Sequence, residues 1–413
     1  MDSNNRQWTT LLSDLLRKIA GCLDSRLDIL RFRWVCHSWR SSVPLPLPPP
    51  VVLKLPYPIG EDTNPNTDLC GHCILSESYV LSIQPRTALQ SATTGTSSNT
   101  TATTTSSTTP WIVRIQFSES VNLVFKDLFS SSPVHDVDKR RLPKVLDLAD
   151  YEVNELCRAY ELEFVDRSGR RPCSGDHSWS TQVRQVVISG KIGDGFTVMV
   201  LKNDGKLAVW RMGDDKWIDV GDQTPEGSSY RSTAYHRGKF YAVCDNRLTV
   251  TIDSVSLSIR EVAPAKQPCR DRKVLVESSG DLLLVLLEES WVDYFDFEDE
   301  VTLKISFAIE KLDEDKHEWI PETDGLKDRL LFTCEHWSLS VSAKDFPGYE
   351  ENCIYCIDPG CFESDCDHPY TGIIVHDVAS GNPRPLCSSV HGCSKIFWPP
   401  PRWLKKKIRR SSK

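Results

Sequence analysis

The sequence predicts a mostly β protein with a small α-helical domain at its N-terminus. Three observations predict this fold class. Leucines recur at helical spacing near the start, a run of prolines follows them, and short apolar segments separated by turn residues fill most of the remainder. With 413 residues, of which 39% are hydrophobic, the chain is long enough for two domains and a sizeable core.

Residues 8–43 have the apolar pattern of helices. Steps of three and four residues place these side chains on one helical stripe: Leu11, Leu12, Leu15, Leu16, Ile19 and Leu23. Asp24-Ser25 predicts a break, and a second pattern runs from Leu27 to Trp39 before Pro44 stops it. So short a segment cannot bury this apolar surface alone. The stripe therefore needs a partner, which is either the rest of the chain or another protein.

Two segments of biased composition set the predicted domain boundaries. Residues 44–50 are Pro-Leu-Pro-Leu-Pro-Pro-Pro, which predicts a stiff linker in the polyproline II conformation. A ligand for a proline-recognising module is the alternative. Residues 91–109 are nearly all Thr, Ser, Ala, Gly and Asn, which predicts a disordered insertion. We expect residues 51–402 to form one β-rich domain, followed by a basic tail over residues 403–413.

The β-rich domain repeats a unit of turn, apolar strand, charged turn and next strand. Phe196–Leu201 is one predicted strand, and a tight turn over residues 203–206 leads into another at Leu207–Trp210. The irregular spacing of such units is compatible with the blades of a β-propeller that carries insertions. Residues 149–160 predict one helix that interrupts the strands.

Charge and composition exclude several function classes. The N-terminus lacks the pattern of a signal peptide, and the aliphatic run Leu282–Leu287 is too short to cross a bilayer, so we expect an intracellular protein without membrane contact. The net charge of −8 argues against general nucleic-acid binding. The basic run Lys405–Arg410 is either a nuclear import signal or a solvated end, so the expected location is the nucleus, the cytoplasm or both.

The sequence shows no convincing catalytic constellation, and we expect no catalytic residue and no cofactor. The 15 cysteines predict thiols rather than a disulfide framework. Four of them have spacing that could form a zinc site: Cys353, Cys356, Cys361 and Cys366. Cys353 and Cys356 lie in a predicted strand, where residues three apart point to opposite faces. We therefore expect no metal site. The acidic segment from Glu288 to Glu300 predicts a solvated loop, and its interleaved aromatic residues make it a candidate for substrate contact.

The N-terminal segment resembles the F-box. The residues that carry the resemblance are Trp8, Leu11, Leu12, Asp14, Leu15, Leu16, Ile19, Leu23, Asp28, Leu30, Arg31, Phe32, Arg33, Val35, Cys36, Trp39 and Arg40. Residues 28–43 are similar to the version in a large plant family, the SKIP-type F-box proteins, in which the F-box precedes a kelch-related β-propeller-like domain of long-undefined function. One departure is Ser13, since the family usually has Leu-Pro where this chain has Leu12-Ser13. A serine can cap a helix, so we expect the helix start to survive.

Fragments of the β-rich domain also look like that family, including Asn203–Leu207, Tyr235–Val243 and Phe397–Trp403. The resemblance implies a substrate-recognition subunit of a Skp1–cullin–F-box ubiquitin ligase, which is not itself an enzyme. Its partners are then a Skp1-type adaptor, through it a cullin scaffold, and a protein substrate that the sequence does not identify. The implied adaptor-binding residues are Leu12, Leu15, Leu16, Ile19, Leu23, Leu30, Val35, Cys36 and Trp39. The alternative is a propeller scaffold with a degenerate F-box that acts outside ubiquitination.

Overall fold

A computed structural model shows three short helices followed by five β-sheets. The structure describes residues 11–23, 26–43, 53–59, 71–86, 110–117, 123–129, 150–169, 183–190, 195–220, 228–266, 271–293, 301–334, 336–357, 373–385 and 404. The predicted linker at 44–50 and the predicted disordered insertion at 91–109 lie outside these residues, as does the basic run at 405–410.

The helices form a small cluster of their own. They are α1 (Ser13–Gly21), α2 (Arg26–Trp34) and α3 (His37–Ser42). The fully buried centre of the cluster is Leu16, which packs with Ala20 of α1 and Phe32 of α2. The partly buried side chains around it come from the same three helices and their ends: Leu11, Leu23, Trp39 and Val43. The hydrophobic contacts of this cluster therefore stay within residues 11–43.

The first sheet, blade 1, is built from the segment between residues 53 and 166. Its strands are β1 (Leu53–Leu55), β2 (Gly71–Pro85), β3 (Trp111–Phe117), β4 (Leu123–Lys126) and β5 (Tyr151–Asp166). Strand β5 pairs with β2 over the whole length of β2, so the last strand of the segment lies at one edge of the sheet. The prediction of a helix over residues 149–160 is wrong, because Tyr151 to Tyr160 are part of β5.

Blades 2, 3 and 4 are four-stranded antiparallel meanders. Blade 2 contains β6 (Val183–Ser189), β7 (Thr197–Lys202), β8 (Leu207–Arg211) and β9 (Ile218–Val220). Blade 3 contains β10 (Tyr230–His236), β11 (Lys239–Cys244), β12 (Thr249–Ile252) and β13 (Ile259–Ala263). Blade 4 contains β14 (Arg272–Ser278), β15 (Asp281–Asp293), β16 (Val301–Asp313) and β17 (Glu318–Pro321).

Blade 5 has five strands and departs from the meander. They are β18 (Arg329–Thr333), β19 (Ser338–Ser342), β20 (Cys353–Ile357), β21 (Ile373–Asp377) and β22 (Asn382–Pro385). Strand β18 lies between β19 and β20, and its pairing with β20 is parallel. Cys353 and Cys356 lie in β20, as the sequence predicts.

The five sheets form a closed ring, which is a β-propeller. Along the ring β5 contacts β6, β6 contacts β10, β10 contacts β14, β14 contacts β19, and β19 contacts β5. These five strands are therefore the innermost strands of the blades, and they surround a central channel. The predicted tight turn is present, since Lys202 N donates to Lys206 O at 2.8 Å and Gly205 has a φ of +82°. A Cβ on Gly205 would also lie 2.5 Å from the Cβ of Ser229, so this turn requires glycine.

Aliphatic and aromatic side chains fill the spaces between blades. Val198, Val200 and Ala208 of blade 2 pack toward Leu75 of blade 1 in one cluster, while Met199 and Val209 share another with Phe240 of blade 3. Alternate residues of one strand thus pack against the two different neighbouring blades, because successive side chains of a strand point to opposite faces of the sheet. The blades pack on both faces, which explains why a strand such as β7 is buried throughout and has a continuous apolar run over residues 198–201.

Candidate functional site

The apolar face of α1 is the first candidate surface. Leu12 is 71% exposed, Leu15 46% and Ile19 40%. Positions 12, 15 and 19 follow steps of three and four residues, so they lie along one side of the helix. Val35, at the end of α2, is another exposed apolar side chain of the helical cluster, at 54%. We call Leu12, Leu15 and Ile19 the α1 stripe.

The structure divides the nine predicted adaptor-binding residues into groups. Leu12, Leu15, Ile19 and Val35 are exposed, whereas Leu23, Cys36 and Trp39 are half-buried. Leu16 is fully buried in the helical cluster, which corrects the expectation that it belongs to the exposed stripe. The reason is geometric, because Leu16 follows Leu15 by 100° around the helix and so faces α2 and α3. The side chain of Leu30 lies outside the described residues.

The start of α1 also differs from the expectation. The residue that precedes the first helical turn is Leu12, with φ −60° and ψ 139°, and no side chain caps the helix. Ser13 is the first residue inside the helix, so it does not act as the capping serine that the sequence suggested. This first position is the one where proline is most favourable in helices, because its N–H has no partner within the helix. The serine therefore stands where the family's proline would fit.

Arg31 connects the helices to the propeller. Arg31 of α2 pairs with Asp28 at 2.7 Å, and its other terminal nitrogen donates to the carbonyl of Val153 and, at 3.1 Å, to Asn154 Oδ1. Val153 and Asn154 belong to β5 of blade 1. Among the described residues, the helical cluster thus contacts the propeller through polar groups of Arg31, while its buried apolar core consists of helix residues.

The central channel of the propeller is the second candidate region. It contains a cavity of about 330 Å³, which we call the channel cavity. Each innermost strand contributes to its lining: Arg158 from β5, Gln185 from β6, Thr233 from β10, Glu277 from β14 and Ser338 from β19. Burial raises the pKa of Cys157, a thiol beside this cavity, to about 12, so it is a protonated thiol at neutral pH.

A second cavity, of about 440 Å³, lies at the end of the channel where β6, β10 and β14 begin. We call it the mouth cavity. It shares Gln185 with the channel cavity, so the two adjoin. One part of its wall carries cations, namely Arg184, Arg231, Arg272 and Lys273. The part between blades 4 and 5 is apolar and includes Val285, Leu287, Phe307 and Ile357.

Side-chain hydrogen bonds tie the innermost strands together at this mouth. Gln185 Oε1 accepts from the backbone N–H of Thr233 at 2.7 Å, which links blades 2 and 3. Ser232 Oγ accepts from the N–H of Leu275 at 3.0 Å, which links blades 3 and 4. Ser338 Oγ donates to the carbonyl of Leu275 at 2.7 Å and links blade 5 to blade 4. Buried bonds of this kind hold the wall of the mouth in one arrangement.

Other predicted site residues fall partly outside the described residues. Cys353 and Cys356 are buried in β20, and burial raises the pKa of Cys353 to about 11. Cys361 and Cys366 are not described, and within the part of the chain that the structure describes no three potential metal ligands come together. The absence of a metal site stays a prediction.

The acidic segment departs in part from the predicted loop. Residues 288–293 continue strand β15, and Glu288 is exposed there. Residues 294–300 lie outside the described residues, and so do the side chains of residues 289–293. Substrate contact by this segment stays a prediction. Of the helices that are described, none has the length and apolar character needed to cross a membrane.

The model of one protein family matches residues 71–378, a range that contains strands from all five blades. The chain belongs to the KIB1-4 beta-propeller family. The resemblance to plant F-box proteins is confirmed by the relatives of this family member. F-box protein At2g17036 of Arabidopsis thaliana is 27% identical over an alignment that covers 96% of this chain and 94% of that protein.

Two further Arabidopsis thaliana relatives of this KIB1-4 beta-propeller protein are similar over nearly their whole length. F-box protein SKIP23 is 28% identical, with 96% of this chain and 95% of that protein covered. Putative F-box/kelch-repeat protein At5g24040 is 24% identical, with 96% and 98% covered. The mostly β fold with N-terminal helices that the sequence predicts is confirmed, because the described residues form helices followed by a five-bladed β-propeller.

Sequence reasoning missed the cations of the mouth cavity. A signal for them exists, because the second residue of β6, β10 and β14 is Arg184, Arg231 and Lys273. The signal is visible only when the first strand of each blade is aligned with the others, which requires the blade boundaries.

Proposed function

We propose that this protein is the substrate-recognition subunit of a Skp1–cullin–F-box ubiquitin ligase. The helical cluster binds the Skp1-type adaptor, the propeller holds the protein target, and other subunits transfer ubiquitin. The names of its relatives as F-box proteins support the first part of this proposal. The presence of a complete ring of blades after the helices supports the second.

The observation that carries the proposal is the exposed α1 stripe. Leu12, Leu15 and Ile19 present a continuous apolar face while Leu16, one position round the helix, fills the core of the cluster. A small cluster gains nothing from leaving large aliphatic side chains in water, so such a face is typical of a docking surface for another protein. An apolar groove that accepts one side of an amphipathic helix is the matching partner surface.

The mechanism is proximity rather than chemistry by this chain. A target held by the propeller is brought near the ubiquitin-loaded enzyme, which raises the effective concentration of its lysines. The buried thiols of Cys157 and Cys353, with pKa values raised to about 12 and about 11, support a non-catalytic role because neither is a thiolate at neutral pH.

The experiment is a binding assay between the full chain and a Skp1-type adaptor. Replacing Leu15 and Ile19 together by Asp puts two charges into the interface, where uncompensated burial costs several kcal/mol. We expect adaptor binding to fall below detection. The matched control is Arg17→Asp, since Arg17 lies on the opposite side of α1 in an exposed pair with Asp14 and should leave binding unchanged.

Circular dichroism of each variant shows whether the protein is still folded. Because Leu15 and Ile19 are exposed, we expect that replacing them does not unfold the helices. Full adaptor binding by the folded double variant would refute the proposed docking face. If the wild-type chain binds no adaptor at all, the alternative of a propeller scaffold with a degenerate F-box is favoured.

A further inference from the structure

Two neighbouring blades carry an arginine on a β-bulge at the same place. In blade 2, Val183 pairs with Lys202 and Gln185 with Leu201, so Arg184 is an extra residue in β6. In blade 3, Tyr230 pairs with Cys244 and Ser232 with Val243, so Arg231 is an extra residue in β10. A bulge bends the strand and redirects the side chain of the inserted residue, and bulges are common at the rims of barrels and beside functional sites.

Blade 4 adds two cations without a bulge. Strand β14 pairs regularly with β15, Arg272 opposite Leu287 and Lys273 opposite Leu286. Both residues line the mouth cavity together with Arg184 and Arg231. Three consecutive blades thus contribute cationic residues to the lining of one cavity from the start of their innermost strands. Repetition at the same structural position argues for a shared role rather than for chance.

The arginines on the two bulges have few acidic partners among the described residues. Among the lining residues the acids are Asp245 and Asp271. Asp245 lies 3.8 Å from Arg231, and Asp271 is shared with Arg247, which is 3.9 Å away and pairs more closely with Glu310 at 2.8 Å. Arg184 has no acidic partner among the residues that the structure describes. Within the part of the chain that the structure describes, the two bulge arginines are therefore at most weakly paired with acids.

The rest of the cavity wall is suited to an apolar side chain. Leu287 and Phe307 from blade 4 line it together with Ile357 from blade 5, and Phe307 and Ile357 are only half-buried. Half-exposed apolar side chains inside a cavity gain hydrophobic free energy when a ligand covers them. The mouth cavity therefore has cationic residues at the first strands of blades 2, 3 and 4 and an apolar wall between blades 4 and 5.

We infer that the mouth cavity binds a short acidic segment of the protein substrate, with a carboxylate beside an apolar side chain. This inference rests on the proposed function, because it names what the substrate receptor recognises. The carboxylate accepts hydrogen bonds from the guanidinium groups of Arg184 and Arg231, whose planar donors match the two oxygens of a carboxylate. The apolar side chain packs on Phe307 and Leu287. The same polar chemistry would fit a small organic acid, so the test must separate the two sources.

The test uses the full chain, with and without a Skp1-type adaptor, and an array of synthetic nine-residue peptides. One set has Asp or Glu next to Leu or Phe, a second replaces the acids by Asn or Gln, and a third replaces the apolar residue by Ser. We expect the first set to bind and the other two to bind at least about tenfold more weakly, because each removes one half of the contact.

Variants of the receptor identify the site. Arg184→Glu with Arg231→Glu should weaken binding of the acidic-apolar peptides at least about tenfold. The milder Arg184→Gln with Arg231→Gln should weaken it in the same direction, and it keeps the test valid if charge reversal disturbs folding. The matched control is Arg260→Glu, because Arg260 is exposed on β13, the outermost strand of blade 3, and lines neither cavity described above.

Three results would overturn the inference: equal binding of the acidic and amide peptides, full binding by both double variants, or an equal loss of binding in the control variant.

Octanoate and phenylacetate serve as small-acid probes. Thermal stabilisation by these acids without any peptide binding would make a small molecule the occupant and refute a peptide site. Adaptor binding is measured on the same samples. Peptide binding without adaptor binding refutes the ligase role alone, and adaptor binding without peptide binding refutes the site alone.

Discussion

Ser13 occupies a position in α1 that has the backbone geometry for proline. Leu12, with φ −60° and ψ 139°, has the extended conformation that a residue before proline requires, and Ser13 is the first helical residue. We predict that Ser13→Pro stabilises the helical cluster by about 0.5–1 kcal/mol, because proline restricts the unfolded chain without removing a helical hydrogen bond. Thermal unfolding monitored by circular dichroism at 222 nm measures the effect.

The control for this prediction is Arg17→Pro, in the middle of α1, which should disrupt the helix. A loss of helicity in Ser13→Pro itself would contradict the placement of Ser13 at the first helical position. Adaptor affinity should rise or stay the same in Ser13→Pro, since the α1 stripe is not changed.

His376 is a buried titratable group that makes stability depend on pH. Burial lowers its pKa, an effect that nearby Asp377 opposes, and its ring lies 4.3 Å from that of Phe307. Because the pKa is lower in the folded state than the usual value of about 6.5 in the unfolded chain, the unfolded state binds more protons as pH falls. The loss of folding free energy that comes from protonating His376 is absent well above pH 6.5 and develops below it. We predict that the free energy of unfolding decreases between pH 7.5 and pH 5.5 in urea titrations.

Between pH 7.5 and pH 5.5 the free energy of unfolding of His376→Gln should decrease less than that of the wild-type protein. His37→Gln, at an exposed position on α3, should keep the pH dependence of the wild-type protein. An unchanged pH dependence in His376→Gln would show that protonation of His376 does not oppose folding. Buried His236, whose pKa burial also lowers, would then be the group to replace.

Two tryptophans near the ends of their blades lock adjacent blades together. Trp319 of β17 donates from Nε1 to Thr249 Oγ1 of blade 3 at 2.8 Å, and Trp217, next to β9, donates to the carbonyl of Pro56 after β1 at 2.8 Å. In the sequence, each of these tryptophans is followed by an isoleucine, as Trp217-Ile218 and Trp319-Ile320, near the end of its blade. We predict that Trp319→Phe and Thr249→Val are coupled by about 1 kcal/mol in a double-mutant cycle, because each removes the same buried hydrogen bond.

Urea denaturation of the four proteins in the cycle gives the coupling energy. Pairing Trp319→Phe with Thr251→Val provides the control, since Thr251 bonds to Arg260 within blade 3 and should be additive with Trp319. Additivity in the Thr249 cycle as well would mean that the hydrogen bond across this seam contributes nothing to stability.

Strand β5 shows why one element could not be predicted correctly. Glu155 and Arg158 form an ion pair at 2.7 Å with the three-residue spacing of a helix. Here a bulge produces that spacing, because Val80 pairs with Cys157 and Leu81 with Glu155, so Leu156 is an extra residue. Residues three apart then lie on the same side of the strand. The charged residues of β5 look in the sequence like the solvated face of a helix, but they pair with other strands. Glu161, for example, binds Arg114 of β3 and Lys126 of β4.

At the scale of the whole molecule, the helices and the propeller should separate. The helical cluster has its own core, and its described side-chain hydrogen bonds to the blades come from Arg31. We predict that a chain without residues 1–43 keeps the propeller folded and keeps substrate capture, but loses adaptor binding and therefore ubiquitination of the target. The strand signal in circular dichroism and the unfolding midpoint should stay close to those of the full chain.

The control for this truncation is the full chain with Leu15→Asp and Ile19→Asp, which should show the same loss of ubiquitination with an intact N-terminus. If the truncated chain unfolds while the double variant does not, the helices are part of the propeller's folding unit. Independent domains would then be the wrong description.

The sequence predicts the two-part architecture well because apolar periodicity is a local property. It cannot predict which apolar residue of α1 faces inward, since Leu15 and Leu16 are chemically identical and differ only in direction. It cannot predict the mouth cavity either, because the bulges at Arg184 and Arg231 appear only when both strands of each pair are known. The parallel pairing of β18 with β20 likewise depends on contacts between segments that are distant along the chain.

The way the ring closes has a consequence for the order of folding during synthesis. Each described blade is a contiguous stretch of chain, so blades 1 to 4 can form one after another as they leave the ribosome. The seam between blades 5 and 1 joins residues far apart in sequence, with Trp337 bonded to the carbonyl of Leu128 and Tyr349 to that of Pro110, separations of 209 and 239 residues. The entropy of closing so long a loop must be overcome last. A nascent chain that has not reached blade 5 therefore leaves uncovered the face of blade 1 that packs against blade 5, which includes Val80, Ile112 and Phe129. This is the interval in which we expect the protein to depend on chaperones.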